Sequence, residues 1–152
     1  MTARINPYAN MTLVQPYIDL AKSNAANSGL EPSLLELVKI RASQINGCAI
    51  CLSMHTTEAR RAGESEERIY MLDAWKESAL YNPRERAALA WTEALTRLTE
   101  TGAPDADYQM MAEQFSPEEQ VNLTMAIVAI NGFNRLGVGF RVSPAIFQKK
   151  AA

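Results

Sequence analysis

The sequence predicts an all-α fold, and two observations support this. No stretch alternates apolar and polar residues long enough to indicate a β-strand, since Val38 interrupts the short alternation that begins at Leu35. Apolar residues instead recur at spacings of three and four, as from Ala87 through Trp91 to Leu95, which marks one buried helix face. With 152 residues and no internal repeat or linker, the chain is expected to form one compact bundle of about six to eight helices.

Helix starts and ends are marked along the whole chain. Asn82-Pro83 and Ser116-Pro117 each combine a capping side chain with proline at the first helical position, and Glu31-Pro32 is a looser version. Glycines that suit the left-handed residue beyond a helix end follow three periodic segments, at Gly29, Gly63 and Gly102. The predicted helices are Leu13–Ser28, Ser33–Gln44, Cys48–Ala62, Ser65–Tyr81, Pro83–Thr99, Asp105–Gln114 and Pro117–Leu136.

The last predicted helix has almost no polar face between Val121 and Ile130. We therefore expect it to be buried on most sides, in the core or against another subunit. Within it, Asn131 and Asn134 are expected to satisfy buried hydrogen bonds. The tail after Phe140 is expected to be irregular or to lie as an arm on a neighbouring subunit.

Composition excludes several classes of protein. Two cysteines cannot form the framework of a disulfide-built secreted scaffold. A formal net charge of −2 without a basic block argues against nucleic acid as a partner. The N-terminus lacks the apolar core of a signal peptide, and no uncharged run reaches the ~20 residues of a membrane span. We therefore expect a cytoplasmic protein whose thiols are kept reduced, so that a close cysteine pair is catalytic or metal-binding rather than structural.

The residues that can carry chemistry are concentrated in one segment, residues 33–62. Asn46-Gly47 is expected to break one helix and start the next, which places Cys48 in a first turn, where free N–H groups stabilise a thiolate. Cys51 follows three residues later on the same face. His55, the only histidine in the chain, follows one turn beyond Cys51 and can take and return a thiol proton.

Glu36 lies twelve residues before Cys48, on the far side of the Asn-Gly break. If the two helices fold back beside each other, its carboxylate can orient His55 or relay the proton. Taken alone, a glutamate in the first turn of a helix is more often a dipole-stabilising residue. Arg41 is a solvated charge or pairs with a carboxylate across a subunit interface.

This pattern resembles a known family. A glutamate followed twelve residues later by Cys-x-x-Cys-x-x-x-His, with Arg41, Ser43 and Asn46 between, is similar to the core of the carboxymuconolactone decarboxylase superfamily, specifically its alkylhydroperoxidase AhpD-like branch. Weaker similarity covers most of the chain. The resemblance implies one AhpD-like domain over residues 1–152, a homo-oligomer such as a trimer or hexamer, and thiol peroxidase activity that uses no cofactor or metal.

Carried over by position, the resemblance makes Cys51 the peroxidatic cysteine, Cys48 the resolving cysteine, and Glu36 and His55 the proton relay. The partners are then a hydroperoxide and an external dithiol reductant of the lipoyl or thioredoxin type. One position departs from the best-known members, which carry a second histidine where this chain has Ile50. Lactone decarboxylases of the superfamily typically lack the cysteine pair, so its presence favours redox chemistry.

Other interpretations of the segment stay open. Both cysteines can be inert core residues with His55 as a satisfied core histidine. Cys48, Cys51 and His55 can be three zinc ligands, although a closed site needs a fourth. A decarboxylase-like enzyme and a dithiol redox sensor without turnover are further alternatives.

Overall fold

A computed structural model describes residues 2–9 and 11–144, and these residues form helices and turns without a β-strand, as the sequence predicts. A short 3-10 helix spans Pro7–Ala9 and another spans Met71–Ala74. The α-helices are α1 (Met11–Asn27), α2 (Pro32–Asn46), α3 (Ala49–Arg61), α4 (Glu66–Tyr70), α5 (Pro83–Thr96), α6 (Leu98–Thr101), α7 (Asp105–Gln114) and α8 (Pro117–Gly139).

Helix α2 is the centre of the bundle. It packs against α3, α5 and α8, and its side chains from Leu34 to Ser43 are buried except Glu36 and Lys39. One apolar cluster joins α2 to α5, α7 and α8, and a second joins α2 to α3, α5 and the 3-10 segment. Because burial of apolar surface drives folding, this central position fixes α2 as a rigid support for the segment that follows it.

The proline-marked helix starts are confirmed. Asn82 accepts a hydrogen bond from the Glu85 N–H at 2.9 Å, and the Glu85 carboxylate bonds back to the Asn82 N–H at 2.9 Å. Ser116 and Glu119 form the same reciprocal capping box at the start of α8. Such boxes satisfy N–H groups that a helix start leaves free.

The predicted helix Ser65–Tyr81 is wrong in its second half. Helix α4 ends at Tyr70, and a 3-10 helix and turns follow it. Arg86 supplies the reason, because its guanidinium donates hydrogen bonds to the backbone carbonyls of Trp75, Lys76 and Ser78 at 2.9–3.0 Å. Those carbonyls are bonded by a side chain from α5, a tertiary contact that local periodicity cannot show.

The predicted helix Pro83–Thr99 is also interrupted, at Arg97, where the backbone leaves helical geometry. There the Thr101 hydroxyl donates to the Ala94 carbonyl at 2.7 Å. The last helix instead runs three residues further than predicted, to Gly139. Its own chain does not cover all of it, since Val121 and Val128 are 62% and 51% exposed, and burial of this face against another subunit stays a prediction.

Among the described residues, no helix is long and apolar enough to cross a membrane. Residues 141–144 follow α8 as turn and irregular backbone, which agrees with the prediction for the start of the tail. The rest of that tail, including Lys149 and Lys150, lies outside the described residues.

Candidate active site

The corner between α2 and α3 consists of two residues. Gly47 takes a left-handed conformation, with φ 65° and ψ 35°, and ends α2. Cys48 donates its N–H to the Ser43 carbonyl at 3.0 Å and is the N-cap of α3. The prediction that Cys48 falls in a first turn is therefore wrong by one residue, and the residue inside that turn is Cys51, at the third helical position.

Cys48 and Cys51 are joined as a disulfide, with their Cα atoms 5.4 Å apart. Cys48 is 0% exposed and Cys51 is 6% exposed. Their surroundings are apolar and include Ala42, Ile50, Ile130 and Val142, with Tyr8 and Phe140 packed against this cluster. Apolar surroundings disfavour a thiolate, whereas the N–H groups of a first helical turn favour it.

Helix α8 covers the cysteine pair by its backbone at Gly137. A Cβ atom at this position would lie 2.6 Å from the Cys48 Sγ and 3.7 Å from the Cys51 Sγ. It would also lie 3.0 Å from Cγ2 of Ile50. Only glycine lets α8 approach this closely, so Gly137 is part of the site that the sequence alone did not indicate.

The predicted contact between Glu36 and His55 is present. Nδ1 of His55 lies 2.9 Å from Oε2 of Glu36, and each side chain is 14% exposed. Lys39 holds the other carboxylate oxygen, with 2.6 Å between its Nζ and Oε1 of Glu36. Burial acts to raise the pKa of Glu36, but the hydrogen bonds from His55 and Lys39 outweigh it, and the pKa lies below its ordinary value.

A second carboxylate, which sequence reasoning missed, also reaches His55. Oε2 of Glu58 lies 3.2 Å from the same Nδ1 atom, and the Glu58 side chain is 51% exposed. The sequence did contain a signal, because residues three apart on a helix are neighbours and Glu58 follows His55 at that spacing. The ring nitrogen thus faces one carboxylate from α2 and one from α3.

The zinc set of Cys48, Cys51 and His55 is not assembled in this structure. The two sulfur atoms are bonded to each other. Among the described residues, the ligand-type side chains that converge are Glu36, His55 and Glu58, with their atoms within 4.8 Å of one another.

Buried amides fix the end of α2 just before the cysteines, as predicted for the asparagines of α8. Asn46 donates to the side-chain oxygens of Asn131 and Asn134, both at 2.9 Å. Asn134 in turn donates to the Ser43 hydroxyl at 3.0 Å. The network therefore ties α8 to the residues that hold the corner.

Arg41 finds its carboxylates within its own chain. Its Nε donates to Glu93 at 2.9 Å, and its guanidinium also pairs with Asp73. These two contacts join α2 to α5 and to the 3-10 helix Met71–Ala74, and they balance the buried charge of Arg41 within one chain.

Comparison with known proteins identifies the family. The sequence profile of the carboxymuconolactone decarboxylase family matches residues 12–94, more than half of the chain. The chain belongs to this family. Among family relatives, the uncharacterised protein YdfG of Bacillus subtilis is 43% identical over 111 residues, which cover 73% of this chain and 76% of YdfG.

Solved structures share the fold. ATU0492 of Agrobacterium tumefaciens, a protein of unknown function for which an AhpD antioxidant defence role is suggested, is 43% identical and superposes with a TM-score of 0.88 over 93% of this chain and 97% of its own. The debrominase Bmp8 superposes with a TM-score of 0.80 over 90% of this chain and 73% of its own, at 21% identity. The Bmp8 likeness concerns the fold alone. The AhpD-like fold is thus shown for this family member.

Proposed function

We propose that the protein is a thiol-dependent peroxidase that reduces hydroperoxides by cycling Cys48 and Cys51 between dithiol and disulfide. One observation carries the proposal: a cysteine pair within bonding distance begins the helix whose next turn presents His55 hydrogen-bonded to Glu36. The suggested AhpD role of ATU0492, at 43% identity, supports it. In this assignment Cys51 is the peroxidatic cysteine, Cys48 resolves, and Glu36 and His55 move the proton.

The first half-reaction consumes the peroxide. His55 takes the proton of the Cys51 thiol, and the thiolate attacks the terminal oxygen of the O–O bond. The bond breaks, the alkoxide leaves with the proton returned by His55, and Cys51 becomes a sulfenic acid. The Cys48 sulfur then attacks the Cys51 sulfur, and water leaves as the disulfide forms.

The second half-reaction restores the dithiol. An external dithiol of the lipoyl or thioredoxin type attacks the disulfide, forms a mixed disulfide, and then closes its own disulfide while Cys48 and Cys51 regain their protons. This cycle needs reducing surroundings, so we propose a cytoplasmic location. We also propose that the chain forms a homo-oligomer, a trimer or hexamer, since α8 leaves Val121 and Val128 exposed.

Two other functions fit the family and make different predictions. A lactone decarboxylase would act without its cysteines, so removing them would leave its activity intact. A redox sensor would oxidise once and not turn over. The buried cysteine pair favours the peroxidase over the first, and only kinetics separate it from the second.

The test is dithiol-dependent peroxide turnover with dihydrolipoamide as the electron donor. The wild type should sustain turnover, C51S should fall to the uncatalysed rate, and C48S should consume one equivalent of peroxide and stop. If C51S kept turning over peroxide, the assignment of Cys51 would be wrong. A wild type that consumed a single equivalent and remained oxidised in excess dithiol would be a sensor.

A further inference from the structure

Two carboxylates are directed at the same nitrogen of His55. Oε2 of Glu36 lies 2.9 Å from Nδ1 and Oε2 of Glu58 lies 3.2 Å from it. A carboxylate only accepts hydrogen bonds, so both favour a hydrogen on Nδ1. In a neutral imidazole, a hydrogen on Nδ1 leaves Nε2 as the nitrogen with a free lone pair.

Only part of the negative charge of Glu36 acts on His55. Its second oxygen lies 2.6 Å from the Lys39 ammonium, which neutralises part of that charge. Glu58 has no such cation, since among the described residues its side-chain contact is with His55. Glu58 therefore restores the negative charge beside Nδ1 that Lys39 offsets.

Two arginines on the elements that pack against α3 have other partners. On α2, Arg41 is bonded to Glu93 and Asp73. On α8, which also packs against α3, Arg135 donates to the Asn131 carbonyl at 2.8 Å. Among the described residues, the charged side chains in contact with Glu36 and His55 are Lys39 and Glu58.

We propose that Glu58 is a positioning residue for His55, which together with Glu36 keeps the ring hydrogen on Nδ1 and so makes Nε2 the atom that receives the Cys51 proton. Only the last clause, that Nε2 receives the Cys51 proton, rests on the proposed peroxidase function. The preference for one tautomer follows from the contacts alone, as in other carboxylate-oriented histidine bases.

The chain offers a direct measurement, because it has one histidine. Nitrogen-15 NMR of the protein labelled at histidine reports the hydrogen on each ring nitrogen without overlap. We expect the wild type to show the Nδ1–H tautomer. E58A should shift the ring towards a mixture of both tautomers, whereas E58Q, which keeps an acceptor oxygen without the charge, should retain more of the Nδ1–H form.

Activity gives the second readout. A ring that shares its hydrogen between both nitrogens and is held by one carboxylate presents Nε2 to the thiol only part of the time. kcat/KM should therefore fall about 3- to 10-fold in E58A and less in E58Q. E113Q is the matched control, since it removes one exposed glutamate charge on α7 and should change neither measurement.

The outcomes are separable. If the ring signals of E58A match those of E113Q, the proposal is overturned, whatever the activity. If the wild type turns over no peroxide but E58A changes the tautomer, the proposed function fails while the positioning of His55 by Glu58 stands. If the tautomer shifts in E58A and kcat/KM does not change, Nε2 is not the proton acceptor and the last clause of the proposal is wrong.

Discussion

Two successive turns of α3 present opposite environments to the proposed reaction. In the first turn, Cys48 and Cys51 lie in an apolar cluster under the backbone of α8. One turn later, His55 contacts the carboxylates of Glu36, which is 14% exposed, and of Glu58, which is 51% exposed. The cysteine turn is held by packing and the histidine turn by electrostatics. A residue in the cysteine turn should therefore affect stability and activity together, and a residue in the histidine turn should affect activity with little loss of stability.

The largest effect that tests this contrast is expected at His55. H55N removes the proposed base, and general acid–base catalysis is worth about 10²- to 10⁴-fold, so kcat/KM should fall within that range. Because His55 belongs to none of the apolar core clusters, the urea midpoint should stay close to that of the wild type. M54L, which changes the preceding, exposed residue, is the control and should be active. A large loss of stability in H55N would contradict the contrast between a packed cysteine turn and a histidine turn that matters mainly for activity.

An intermediate effect is expected where α8 covers the cysteines. In G137A the new methyl group would lie 2.6 Å from the Cys48 Sγ, and overpacking of this kind costs about 1–3 kcal/mol. Stability in urea and peroxide turnover should both decrease. G139A is the matched control, because nothing lies within 4 Å of its Cβ position and alanine favours the helix. Equal stability of the two variants would show that α8 does not constrain the cysteine pair.

The smallest effect is expected in how the free energy of unfolding depends on pH through Glu36. The pKa of Glu36 is lowered below its ordinary value of 4.5, so its ionised form stabilises the fold above that pH, and this contribution is lost as the pH falls through the folded pKa. The free energy of unfolding of the wild type should therefore exceed that of E36Q near neutral pH, and the gap should narrow in acid. Urea titrations of both proteins below and above pH 4.5 measure this difference in the free energy of unfolding. A difference that grows in acid would contradict a lowered pKa of Glu36.

The residues that sequence reasoning found are those whose contacts follow from helix geometry. Glu36 and His55 could be paired because a single break separates two regular helices. Glu58 was missed, although its spacing from His55 follows the same rule. Gly137 could not be found, since its approach to Cys48 depends on how α8 packs. The helix predicted through Tyr81 failed for a similar reason, because Arg86 bonds the carbonyls of that segment from another helix.

The separations along the chain have a consequence for how the site assembles. His55 and Glu36 are 19 residues apart, whereas Asn134 and Ser43, which tie α8 to the corner, are 91 residues apart. Loop-closure entropy grows with the logarithm of that distance, so the longer closure costs about 1.4 kcal/mol more. We expect the contact between Glu36 and His55 to form early, within a hairpin of α2 and α3. Helix α8 should pack over the cysteines afterwards. Until α8 docks, both thiols of a newly made chain are open to oxidants and reductants, so their redox state can be set before they are buried.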